Sequence, residues 1–171
     1  MGLNPDQRDL KILEILQENG RISKAELAER INLSPTAGWQ RLKRLEKAGL
    51  INGYKAEIAL DKIVPYSTFL VQIELENHRA ADFKRFENAI QKTPAVTKCL
   101  AVGGGVDYFL EIMAVDVDHY QQLMDQLLDS NIGVKRYFTF IVTKPVKSSP
   151  APVAALLEQA QQLPAIPDED N

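Results

Sequence analysis

The chain has 171 residues, of which 45% are hydrophobic and 25% charged, and a net charge of −3. That length suits one large domain or two small ones, and the makeup is that of an ordinary globular protein. It excludes a disulfide scaffold, since Cys99 is the single cysteine, and a membrane-spanning helix, since no apolar run is long enough to cross a bilayer.

The first residues mix acids, bases and apolar groups and lack the uncharged apolar stretch of a secretory signal, so a cytoplasmic location and no membrane partner are expected. The apolar flanks of Cys99 predict a buried thiol. A small net charge does not exclude nucleic acid where charges segregate. Arg41 to Lys47 holds four basic residues and one acid, Glu46, whereas the last eight residues carry Asp168, Glu169 and Asp170 and no base. A local basic patch suffices for phosphate contacts.

In chain order, Asp6 to Asn19 reads as a helix, with Asn4 or Asp6 as cap, Pro5 in the first turn and Leu10, Ile12, Leu13 and Leu16 as its apolar stripe. Gly20 ends it. Ser23 caps a second helix, and Glu26 three residues later completes a capping-box pattern. Ala25, Leu27, Ala28 and Ile31 form its inner face. After the short turn Asn32-Leu33, Ser34 caps a third helix with Pro35 at its first position, and Gly49 ends it. Three short helices with a tight turn between the second and third are the layout of a helix-turn-helix. Leu50 to Ile58 reads as an extended, wing-like segment.

The second half changes period. Strands are predicted over Tyr66–Leu75, Val96–Val102, Asp107–Val115 and Val134–Thr143, and helices over Ala80–Lys92 and Val117–Asp129. The order β-α-β-β-α-β is the split, ferredoxin-like plan, with both helices on one face of an antiparallel sheet. Phe69, Phe109, Phe138 and Phe140 fall on one sheet face or the other. The open face needs a partner, and a second copy of the sheet is the simplest. The expected fold class is therefore α+β: a winged helix-turn-helix (residues 1–58), a linker (59–65), a ferredoxin-like sensing and oligomerisation domain (66–144) and a Pro-rich tail (145–171). Within that tail VAALLEQAQQL has the makeup of a short helix with an Ala and Leu stripe.

On a helical wheel, Gly38, Leu42 and Leu45 share one face of the third helix. Thr36, Gln40, Lys43 and Lys47 lie opposite, flanked by Arg44 and Trp39. Hydroxyl, amide and cationic groups without an acid are those that read base edges and phosphates in a major groove. With Ser34 at the helix start, these residues are the expected DNA contacts. A plain solvated helix face would mix Glu with Lys. Trp39 serves equally as packing against the first helix or the wing. Gly38 costs about 1 kcal/mol relative to alanine inside a helix, which suggests room for Trp39 or for close approach to DNA.

Gly103-Gly104-Gly105 is not a phosphate loop, because strands flank it on both sides and no Gly-Lys-Ser/Thr follows. It reads as a hairpin turn whose exposed amides suit a carboxylate; it is equally a plain turn. His78 and His119 lack metal-ligand spacing, and no Ser-His-Asp motif appears. Neither a metal, a cofactor nor catalysis is expected.

The run from Glu18 to Ile58 resembles the helix-turn-helix of the Lrp/AsnC, or feast/famine, regulators. The matching features are Leu33-Ser34, Arg41 through Leu45-Glu46, Gly49-Leu50-Ile51 and Gly53-Tyr54. The second half is similar to that family's regulatory domain at Gly104, Asp107 and Tyr108, and at Gly133-Val134 with Thr139 following. The resemblance spans roughly residues 3 to 144. It implies double-stranded DNA as partner and a homo-oligomer, a dimer through the C-terminal sheets and usually a tetramer or octamer. It also implies an amino-acid effector held between subunits near Gly103, Gly104, Gly105, Asp107 and Tyr108, with Thr139 nearby. Three features depart from the family pattern: Gly38 in place of a larger core residue, Gly105 where an acidic or polar residue is common, and the tail after Lys144. The expected function is a sequence-specific transcriptional regulator responding to an amino acid or related metabolite. The alternative is a ferredoxin-like small-molecule module whose helical half docks protein, without DNA binding.

Overall fold

The computed structural model describes residues 3–162. The described chain divides into two compact units: one spans Ile58–Lys147, and the other joins residues 3–57 with residues 148–162.

The first unit opens with α1 (Gln7–Glu18), α2 (Lys24–Arg30) and α3 (Pro35–Lys47). Asp6 caps α1 and accepts from Asp9 N, while Asp9 accepts from Asp6 N, a reciprocal capping box built from two aspartates. At α2 the cap bond runs from Glu26 N to Ser23 Oγ. At α3 Ser34 Oγ accepts from Ala37 N, with Pro35 in the first turn. Asn32 turns the chain between α2 and α3 at φ 53°, and Gly49 stops α3 at φ 71°, both left-handed conformations that short polar residues and glycine tolerate. The core of this unit is Ile12, Ile15, Leu27, Ile31, Leu42 and Leu45. Residues 51–59 form no strand within the single chain.

Gly38 faces α2. A Cβ there would lie 3.3 Å from Ala28 Cβ and 3.4 Å from Ala28 Cα. The glycine therefore serves close helix–helix approach rather than space for Trp39 or DNA. That tight contact compensates its low helix propensity.

The second unit carries β1 (Ser67–Leu75), α4 (Ala80–Gln91), β2 (Val96–Ala101), β3 (Tyr108–Ala114), α5 (Val117–Asp129) and β4 (Val134–Ile141). A short 3-10 turn at Leu60–Lys62 precedes them. The sheet order is β2-β3-β1-β4, antiparallel throughout. This is the β-α-β-β-α-β plan expected from the pattern. Phe69, Val71, Ile73 and Leu75 alternate into the core with Leu110 and Ile112, and meet Phe86 and Ile90 of α4 and Met124 and Leu127 of α5. Each such side chain contributes about 1.5–3 kcal/mol on full burial. Phe69 belongs to this buried face and stacks on Tyr120, 4.1 Å between ring centroids.

The opposite face is apolar and uncovered within the chain. Leu70, Leu100, Phe109, Phe138 and Phe140 are all exposed. The register makes them one surface: Leu70 pairs with Phe140, and Gln72 lies between Phe109 and Phe138. Cys99 corrects the expectation of a buried thiol: it is exposed. β2 is an edge strand on which only Val96 is half-buried, so apolar sequence neighbours did not entail burial.

The tail forms α6 (Val153–Gln161), which packs against α1 within the first unit.

Candidate functional site

The outward face of α3 is set by what its inner face buries. Gly38, Leu42 and Leu45 are buried, which leaves Ser34, Thr36, Gln40, Lys43, Arg44 and Lys47 exposed and Trp39 half-buried. Thr36, Gln40, Lys43 and Lys47 thus form one polar surface, as their spacing requires. The Ser34 hydroxyl is engaged in capping.

Three side chains on this face have partners within the unit. Trp39 lies under two ammonium groups: Lys24 Nζ is 3.5 Å and Lys43 Nζ 4.6 Å from the ring centroid. Lys43 Nζ also donates to Glu46 Oε2 at 2.7 Å, and the Tyr54 hydroxyl donates to Glu46 Oε1 at 3.0 Å. The Lys43 ammonium, aided by Tyr54, holds the Glu46 carboxyl below its ordinary range, while burial and the adjacent carboxylate push the Tyr54 hydroxyl up to about 12. Glu46, the one acid of α3, is therefore neutralised on the flank of the basic face. Arg44 reaches back to Asp9, whose side chain is fully buried and which also accepts from Arg41 Nη1 at 2.9 Å. Arg41 also pairs with Asp6 at 2.6 Å, and that guanidinium lowers the Asp6 pKa. This two-arginine clamp on one buried carboxylate fixes α3 against α1. Its signal in the sequence was Asp9 itself, an acid three residues before Ile12 on the inward stripe.

In the second unit, Gly103, Gly104 and Gly105 form an exposed turn between β2 and β3, with Gly104 at φ 142°. None of the three would meet any atom within 4 Å if given a Cβ. Asp107 closes this turn: its Oδ2 accepts from Leu75 N at 2.7 Å, and Oδ1 lies 3.0 Å from His78 Nε2. Asp107 N donates to Ile73 O, and Val102 N to Asp107 O. The carboxylate therefore ties the β2–β3 turn to the end of β1. Tyr108 points into the helix-covered face, where its hydroxyl donates to Glu87 Oε1 at 2.8 Å; burial, with Glu87, raises its pKa. Thr139 stands on β4 opposite Val71, bonded to the Tyr120 hydroxyl. Within one chain the glycine turn, which leads into β3, and Thr139, on β4, lie on opposite sides of β1. His78, Glu87 and Tyr120 were not singled out from the sequence as parts of this region; each meets its partner only through the tertiary fold. Among the described residues no cluster of metal-ligating side chains forms, and no helix is long and apolar enough to cross a membrane.

Comparison with known proteins agrees with both halves. Residues 5–52 match the model of a winged helix-turn-helix DNA-binding domain, and residues 68–152 that of the Lrp/AsnC ligand-binding domain. The chain is 52% identical over 149 residues to the transcriptional regulatory protein DoeX of Halomonas elongata, covering 87% of this chain and 94% of that one. It is 37% identical over 150 residues to the leucine-responsive regulatory protein of Escherichia coli, covering 86% and 90%. A crystal structure of a Neisseria meningitidis transcriptional regulator in complex with L-methionine superposes with a TM-score of 0.84 at 30% identity, covering 90% of this chain and 99% of that one. With a DNA-binding helix-turn-helix, a ligand-binding domain of matching fold and regulators as relatives along nearly its whole length, the chain belongs to the Lrp/AsnC family of transcriptional regulators.

Proposed function

We propose that this protein binds a specific DNA sequence through α3 and that an amino acid or closely related metabolite sets its affinity. The observation that carries the DNA reading is the outward face of α3, where Thr36, Gln40, Lys43 and Lys47 are exposed together and the single acid of the helix is paired at its edge. Gln40 suits bidentate readout of adenine. Lys43, Arg44 and Lys47 suit phosphates, as does Ser34 at the helix start. Trp39, half-buried beneath two lysines, supports the face and meets the sugar-phosphate backbone at its rim.

The effector reading rests on the exposed Gly103–Gly105 amides, which suit a carboxylate, beside Asp107 and Tyr108. Its class follows from relatives, one named for leucine and one crystallised with L-methionine. Because Thr139 and the glycine turn stand apart in one chain, the site is completed between subunits. The exposed face of Leu70, Phe109, Phe138 and Phe140 supplies a dimer interface, from which tetramers or octamers assemble. The protein acts in the cytoplasm as a regulator, not as an enzyme.

The test is a gel shift on the upstream region of the protein's own gene, with and without a panel of amino acids. Retarded DNA whose midpoint shifts with one amino acid supports the reading; no specific retardation at any salt concentration favours a helical half that docks protein instead. Gln40→Ala sharpens the result. It is expected to narrow the gap between cognate and random DNA by a factor of about ten or more, and equal loss on both would reduce Gln40 to a backbone contact.

A further inference from the structure

α1 is apolar on two sides. Ile12 and Ile15 enter the core of the DNA-binding unit, whereas Leu13 and Leu16 are half-buried on a second stripe beside it. A helix with two apolar stripes needs two partners. The second stripe, with Ile51 and the ring of Tyr54 from the segment after α3, forms one wall of a groove of about 770 Å³, and Val153 and Leu157 of α6 form the other. Val153 and Leu157 stand four residues apart on one helical stripe, and both are half-buried although α6 belongs to the tail. Pro152 starts the helix, and the carbonyl before it, Ala151 O, accepts from Gln17 Nε2 of α1 at 3.1 Å. The ligand-binding domain match ends at residue 152, one residue before α6 begins.

We propose that α6 is a latch: the helix packs along α1 of that same chain's DNA-binding unit, walls the groove opposite residues 50–54 and so braces α1. The bracing reaches the DNA-contacting helix by two routes. α1 carries Asp9, which holds Arg41 and Arg44 of α3. Leu50 and Ile51 continue directly from the end of α3 at Gly49. The tail also makes a second covalent connection between the units, since the chain leaves the DNA-binding unit after Glu57 and re-enters it at Ser148. The docked helix is the chain's own rather than a foreign one, because Val153 and Leu157 already wall the groove opposite Leu13 and Leu16 and the start of α6 is bonded to Gln17 of the same chain.

Two experiments test the latch. Hydrogen exchange is compared between wild type, Leu157→Asp and a chain stopped after Lys147. Amides of α1 and of residues 50–54 are expected to exchange several-fold faster in both variants, with β1 unchanged and DNA binding weakened about threefold or more. Unchanged exchange in α1 in both variants would overturn the proposal, and agreement between the two variants separates lost docking from a local effect of the new charge. The second experiment places Gln17→Cys and Ala151→Cys in a Cys99→Ser background and treats them with a short bis-maleimide. A cross-linked species of monomer mass on a denaturing gel is expected. A covalent dimer would move the latch to the neighbouring subunit and overturn docking within one chain; the absence of any cross-link would overturn docking altogether.

Discussion

Arg44, on the face of α3 that carries the basic residues, donates to Asp9, a fully buried carboxylate one helix away. The pair shows how the helix proposed to meet DNA is held in place by the fold itself. Arg44 keeps about half its surface, 47%, while Asp9 has none. The guanidinium therefore serves as an anchor at one end and leaves charge at the surface.

Asp9→Asn is expected to destabilise the DNA-binding unit. The amide removes the charge that two arginines share and interrupts the reciprocal bond that caps α1. Hydrogen bonds to charged groups contribute roughly 1.5–3 kcal/mol each, so a loss of about 2–3 kcal/mol is expected. Trp39 is the single tryptophan and lies in this unit, so its fluorescence during urea denaturation reports the unit directly. A midpoint equal to wild type would mean that Arg41 and Arg44 spend their time in solvent.

The double replacement Lys43→Ala with Arg44→Ala addresses DNA. Each phosphate neutralised contributes about 0.9 to the slope of log affinity against log salt, so the slope is expected to fall by about two. Because Arg44 also anchors α3, the Trp39 unfolding midpoint is recorded for the same variant. A folded double mutant with unchanged affinity and slope would remove both residues from the interface.

Gly38 is expected to tolerate alanine and to reject larger residues. The added methyl of Gly38→Ala gains about 1 kcal/mol of helix propensity against a contact that is a few tenths of an ångström too tight, so the two nearly cancel. Gly38→Leu has no space between α3 and Ala28 and is expected to cost about 1–3 kcal/mol. It would also displace Thr36 and Gln40 with the helix, so specific DNA binding is expected to fall further than stability alone explains. A Gly38→Leu protein with wild-type denaturation and wild-type gel shift would show that α2 and α3 are free to separate.

The elements read clearly from local chemistry where the cause was local. Ser34-Pro35 and Gly49 bracket α3 because capping and left-handed termination are decided within a few residues. The box at α1 was harder, because its third helical position holds aspartate instead of the glutamate of the usual pattern. Period-two patterning located the strands but left the parity of Phe69 against Phe109 and Phe138 open; the register settles it by putting Phe69 under Tyr120 and the other two on the uncovered face. Cys99 was misread because apolar neighbours in sequence say nothing of whether a strand lies at the sheet edge. The contacts that shape the sites were beyond local reading. Asp9 meets Arg44 across 35 positions, and Leu75 meets Asp107 across 32.

The glycine turn supplies the last prediction. Asp107 is already engaged by Leu75 N and His78, so its first duty is to hold the β2–β3 turn against β1, and the amides of Gly103 to Gly105 are what the turn exposes. A side chain that shields these amides without disturbing Asp107 should therefore abolish effector binding while leaving the fold intact. Gly103→Val is the cleaner choice, because a Cβ there meets nothing within 4 Å and the residue lacks a positive φ. Gly104→Val adds backbone strain at φ 142°, a cost of about 1–3 kcal/mol. Calorimetry with the common amino acids is expected to show binding to wild type and at least a tenfold loss in both variants, with the oligomer retained. Asp107→Asn, by contrast, should lower the thermal midpoint of the sensing unit, since it weakens the bond to Leu75 N. Full effector affinity in a folded, oligomeric Gly103→Val would place the site away from this turn, and retained affinity in Asp107→Asn would leave the aspartate with bracing as its whole role.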